Sequence, residues 1–279
     1  MKERWPDANV HIEDLPVGHR TDDEDVQRHD MELLKSLVGL QSVRSIKTVI
    51  NYEHPVAIRW LKDVILSCPR LNVLHLRVPR DWQGQPNWQS DGLGSYDLSV
   101  EPGEKSGPLT ELVYESTHPF SPPMIPVSFF DWTRLRRLEL RGHGMYHLIK
   151  SLEGHQLVLE SFKVEFIYLQ FESAPDRNIP ILEDFISSFR GLETLDLTSP
   201  FRQFPTSTIS LHGNTLKHLS IHHPTRWEAV SGTKLVLPKP YSPADLDSLN
   251  DTCPHIVSLA LDMGICGDLV RPQPISEYT

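Results

Sequence analysis

An apolar signature, Leu-x-x-Leu-x-Leu, returns along most of this chain. It reads Leu71-Leu74-Leu76, Leu135-Leu138-Leu140 and Leu192-Leu195-Leu197. With apolar substitutions it also reads Leu109-Leu112-Tyr114, Leu159-Phe162-Val164, Leu216-Leu219-Ile221 and Ile256-Leu259-Leu261, and a fainter copy starts at Val43-Ile46. The last two positions of each copy stand two apart, so in an extended strand both point to one face and the residues flanking them to the other. Each copy therefore predicts a short strand with one apolar and one polar face.

Helical periodicity precedes several of these strands. Residues 55–67 carry Ala57, Ile58, Leu61, Val64 and Ile65 on one side, and residues 181–189 carry Ile181, Leu182, Phe185, Ile186 and Phe189. Ser242 reads as an N-cap with Pro243 at the first helical position, opening a helix through Leu246 and Leu249. Three residues before four of the signatures stand Cys68, Trp132, Phe189 and Cys253. An apolar residue there buries a helix end against a strand start, and the prolines after the two cysteines stop the helix. Both cysteines are accordingly expected in the core. Helix, turn and strand in repetition predict a parallel sheet with helices on its outer side, the pattern of a solenoid, whose stacked repeats serve recognition more often than catalysis.

Residues 1–40 read differently. Glu13, Asp14 and Asp22 to Asp25 make an acidic stretch, followed by one helix over 26–38 with Met31, Leu33, Leu34, Leu37 and Val38 on one stripe. The expected organisation is an acidic segment with one helix over 1–40, about seven or eight repeats over 41–270, and a polar tail over 271–279. The longest insertion, 79–108, carries Trp82, Trp88 and Tyr96, aromatic residues suited to anchoring a partner.

Charge narrows the function classes. A net charge of −10 opposes general nucleic-acid binding, which depends on lysine and arginine neutralising phosphates, and equally opposes docking on an anionic membrane. No apolar run is long enough to span a bilayer, and the charged start at Met1-Lys2-Glu3-Arg4 lacks the apolar stretch of an export signal. Three cysteines are an odd, sparse set that fits a reducing compartment. The expectation is an intracellular monomer, cytoplasmic or nuclear, that binds neither nucleic acid nor membrane.

Catalytic and metal motifs are scarce: the sequence holds no G-x-S-x-G, phosphate loop, paired C-x-x-C or H-E-x-x-H. Asp245-Leu246-Asp247 matches an acidic D-x-D, but acidic residues are favoured at a helix start. His218, Ser220, His222 and His223 form the densest polar group; on a strand the first and third histidines stand about 13 Å apart, too far to share one metal. No catalytic residue, cofactor or metal is expected. The polar strand positions are the candidate site: His75 and Arg77; Glu111 and Glu115; Arg137, Glu139 and Arg141; Lys163 and Glu165; Thr194, Asp196 and Thr198; His218 and His222; Ser258 and Asp262. Mixed signs suit a protein partner with its own charge pattern. The Arg137, Glu139, Arg141 rung is the strongest candidate, because arginine is enriched at hot spots.

Cys68-Pro69-Arg70-Leu71 and Cys253-Pro254-His255-Ile256, each leading into the signature, resemble the leucine-rich-repeat region of F-box proteins. Residues 129–140 and 181–195 are similar to divergent filamentous-fungal members in particular. The resemblance covers residues 40–265 and implies an irregular α/β leucine-rich-repeat solenoid, with a parallel sheet on the concave face and helices and loops on the convex side. It further implies a non-catalytic module that binds another protein, possible ubiquitination substrates included, through the concave strands and inter-repeat loops. The chain departs from that family twice. The position three after the last signature residue, usually Asn or Cys, holds Pro79, Thr117, His143, Ile167, Pro200, Pro224 and Gly264. Glu13-Asp14-Leu15-Pro16 is similar to the opening of an F-box, but the apolar helical continuation is missing. The alternatives are a cullin-ligase adaptor with a lost or diverged F-box and, more remotely, an enzyme using the histidines of the seventh repeat.

Overall fold

The computed structural model describes residues 9–17, 24–50, 55–78, 101, 103–116, 127–142, 145–166, 178–198, 203–222 and 240–261. Among these residues the chain forms nine strands and six α-helices: β1 (Val10–Val17), α1 (Glu24–Leu37), β2 (Val43–Ile50), α2 (Pro55–Ser67), β3 (Val73–Val78), β4 (Glu111–Ser116), β5 (Arg137–Gly142), α3 (Met145–Ser151), β6 (Ser161–Phe166), α4 (Asn178–Ser187), β7 (Thr194–Thr198), α5 (Thr206–Ser210), β8 (His218–His222), α6 (Pro243–Thr252) and β9 (Ser258–Leu261). The strands form one sheet in sequence order, and each pairs in parallel with the next. A singly wound parallel sheet puts its crossovers on one side, and neighbouring helices pack against one another there.

The signature explains the core. From β3 to β8 its three apolar positions are all buried, as in Leu135, Leu138 and Leu140 or Leu192, Leu195 and Leu197, and they join the helices in one cluster. Cys68, Trp132, Phe189 and Cys253 are buried beside them. Between β4 and β5 two 3-10 turns, Val127–Phe129 and Trp132–Arg134, stand where other repeats have a helix. Their buried Phe129, Phe130 and Trp132 cover the sheet as an edge-to-face aromatic series, with centroids 4.8 and 5.4 Å apart.

Backbone hydrogen bonds stack the repeats. The carbonyl of Asn72 accepts from the N–H groups of Thr110 and Glu111, and that of Thr110 from Arg136 and Arg137. The Arg136 carbonyl accepts from Glu160 and Ser161, and the Glu160 carbonyl from Glu193 and Thr194. Glu193 and Lys217 continue the row as far as Ser258, every bond being 2.8–3.1 Å long. One carbonyl per repeat thus fixes both the entry and the register of the next strand. The seven residues at the expected Asn or Cys position all lie outside the described residues.

The sheet starts earlier than the sequence reading places it. Val10–Val17 adds an edge strand ahead of residue 41, within the segment read as acidic with a single helix. Its register shifts between Ile12 and Leu15, Leu15 is buried, and the Thr48 hydroxyl donates to the Leu15 carbonyl at 2.7 Å. Pro16, which lacks an N–H, is accommodated because only one side of an edge strand is paired. Leu15-Pro16 therefore lies in a strand of the sheet. Among the described residues no helix is long and apolar enough to cross a membrane.

Candidate functional site

Alternation and register together put the polar strand positions into three columns across the face that the helices leave uncovered. The first reads Ser45, Val73, Glu111, Arg137, Ser161, Thr194, His218 and Ser258. The middle column reads Lys47, His75, Val113, Glu139, Lys163, Asp196, Ser220 and Ala260, and the third Val49, Arg77, Glu115, Arg141, Glu165, Thr198 and His222. Every described residue named from sequence for partner binding falls in these columns. Asp262 and the loop aromatics Trp82, Trp88 and Tyr96 lie outside the described residues. The sequence reading left out the β2 positions Ser45, Lys47 and Val49, although extending the alternation of the faint copy from Ile46 would have found them.

Charge is spent unevenly over this face. On β3 to β5 the side chains pair with one another. Glu111 receives His75 Nε2 at 3.0 Å and one Arg137 nitrogen at 3.6 Å, Glu115 pairs with Arg77 at 3.1 Å, and Glu139 pairs with Arg141 two residues along its own strand. The arginine rung chosen from sequence is therefore already engaged within the molecule. On β6 to β8, among the described residues, no ion pair or side-chain hydrogen bond engages Lys163, Glu165, Asp196 or His218. A partner pairing with these four side chains displaces no internal salt bridge among the described residues, so the more available strand contacts lie one to three strands further along than the sequence suggests.

Side-chain length shapes the face too. In the first column the short Ser161 and Thr194 stand between the longer Arg137 and His218. This leaves an open trough of about 450 Å³. Its rim at the strand starts carries Glu160 and Glu193, the residues just after the first leucine of two signatures, neither of which the sequence reading singled out.

The chemistry weighed from sequence elsewhere has structural explanations. Asp245 forms a capping box with Ser242: its carboxylate accepts from the Ser242 N–H at 2.8 Å, and the Ser242 hydroxyl accepts from the Asp245 N–H at 3.2 Å. The same carboxylate accepts from Gln203 at 3.1 Å, so Asp-Leu-Asp here begins a helix. His218 and His222 occupy the two ends of β8 on the uncovered face, and His223 lies outside the described residues. Among the described residues no group of three His, Cys, Asp or Glu side chains could hold a metal ion. Burial pushes the Cys68 thiol above its ordinary pKa, which favours the unreactive protonated form.

Comparison of the chain with protein-family models, with curated proteins and with solved structures finds no match in any of the three.

Proposed function

We propose that this protein is a non-catalytic recognition module, an irregular leucine-rich-repeat solenoid that binds another protein through the uncovered face of its sheet. The observation that carries the reading is that face: among the described residues, nine strands run in sequence order with the helices on the other side, and charged and hydroxylic side chains are held in register across the sheet. A rigid sheet presents such groups with little further loss of side-chain freedom, which favours specific binding. The balance of signs suits a polypeptide rather than a polyanion. The resemblance to F-box proteins adds the class of partner, a protein marked for ubiquitination, within an intracellular compartment.

Affinity capture of the tagged chain from a lysate of its own organism tests this, with a Lys163→Glu, Asp196→Arg double variant as comparison. A protein bound by the wild type and lost from the variant supports the reading. Cullin-ligase subunits retained by both forms would instead favour an adaptor acting through residues 1–40. Turnover of a small molecule abolished by His218→Ala would favour the enzyme.

A further inference from the structure

The trough between Arg137 and His218 has a charge order of its own. The residues entering β5 to β8 stand side by side, joined by the row of backbone bonds, and read Arg136, Glu160, Glu193, Lys217. Two glutamates are thus adjacent on neighbouring strands, their backbones about 4.8 Å apart by strand spacing, with a cationic residue outside each. Arg136 reaches Glu160 at 3.6 Å and Lys217 reaches Glu193 at 2.9 Å, and all four side chains are between 38 and 56% exposed. Such solvent-exposed pairs are weak, so an incoming cation can share or replace them. The other two glutamates of the trough, Glu111 and Glu139, are held by His75, Arg137 and Arg141. Lys163 also lines the trough, but it makes no ion pair with Glu160 or Glu193, whose partners are Arg136 and Lys217.

We propose that this trough receives an arginine side chain of the protein partner, its guanidinium bridging Glu160 and Glu193 above Ser161 and Thr194. A planar guanidinium can donate to two carboxylates at once, which a lysine does less well. The rest of the chain favours the same partner, since a net charge of −10 steers basic segments toward it. The proposal rests on the reading of the sheet face as a binding surface and names what that surface selects.

Selection of a random phage-displayed peptide library on the immobilised full-length chain tests it, followed by affinity measurements on the enriched peptides. The expected peptides carry an arginine whose replacement by citrulline lowers affinity at least ten-fold. The double variant Glu160→Gln, Glu193→Gln, with an unchanged circular dichroism melt, lowers it by a similar factor. Glu160→Lys, Glu193→Lys should select acidic peptides instead. Enriched peptides without a basic residue, or peptides indifferent to the glutamine variant, overturn the trough. If those peptides are still lost on Lys163→Glu, Asp196→Arg, the face survives as the binding surface; if they are not, both readings fail. A selection that enriches nothing also overturns the trough.

Discussion

His212 is buried, with 2% of its surface exposed, between the end of α4 and the start of β8. Its Nδ1 accepts the Leu192 N–H at 3.4 Å, so the ring proton sits on Nε2, which donates to the Ile186 carbonyl at 3.1 Å. The ring packs against Phe189 with centroids 5.6 Å apart. His212→Ala leaves two buried backbone groups without partners, at about 1–3 kcal/mol each, and removes the ring packing as well. We expect a loss of about 3–5 kcal/mol. Burial holds the imidazole below its ordinary pKa of 6.5; the nearby Arg190 charge adds to this, and the bond to Ile186 partly opposes it. The unfolded chain therefore binds this proton more readily than the native state. The contribution is full above pH 6.5 and is lost as pH falls from there to the lower native pKa, by about 1.4 kcal/mol per pH unit. Urea unfolding of wild type and variant at about pH 8, 7, 6 and 5 measures both effects, and subtracting the variant cancels titrations elsewhere, including that of His147. A loss below about 1 kcal/mol, or a wild-type advantage that does not shrink below pH 6.5, would refute the assigned hydrogen bonds.

Leu195→Ala opens a cavity in the centre of the core and should cost about 2–5 kcal/mol in urea unfolding, whereas Leu259→Ala on β9, where half the side chain is exposed, should cost under about 1 kcal/mol. Gly142 has φ +108°, and a Cβ there would lie 1.7 Å from the Ser116 carbonyl oxygen of β4. Gly142→Ala should therefore lower stability by more than about 2 kcal/mol in the same assay, or yield insoluble protein. Ser242→Ala removes the cap of α6 and should cost about 1 kcal/mol by thermal melting.

The core was legible because one pattern carries it. A buried pair two residues apart, preceded by a buried leucine, marks β3 to β8, and α2 shows a periodic apolar stripe ended by Cys68-Pro69. The short helices escaped: Met145–Ser151 is too brief to show a periodicity, and Thr206–Ser210 offers Ile209 as its one apolar residue. β1 escaped because its register shift breaks the alternation and because Glu13, Asp14 and Pro16 read as loop. The site divides the same way. Which side chains face outward follows from alternation alone, but which charges cancel depends on register across strands. Glu111 stands opposite Val73, and this sets it diagonal to His75 and beside Arg137. The trough needs Ser161 and Thr194 aligned on adjacent strands, a fact that spacing within one copy does not contain.

Site-specific photo-crosslinking tests the central claim most directly. A benzoylphenylalanine is placed in turn at Lys163 and Asp196 on the uncovered face and at Glu153 and Asp184 on exposed positions of the helical side. Captured partner adducts should form from the first two positions and not from the second pair. Adducts from Glu153 or Asp184 alone would contradict the assignment of binding to the sheet face.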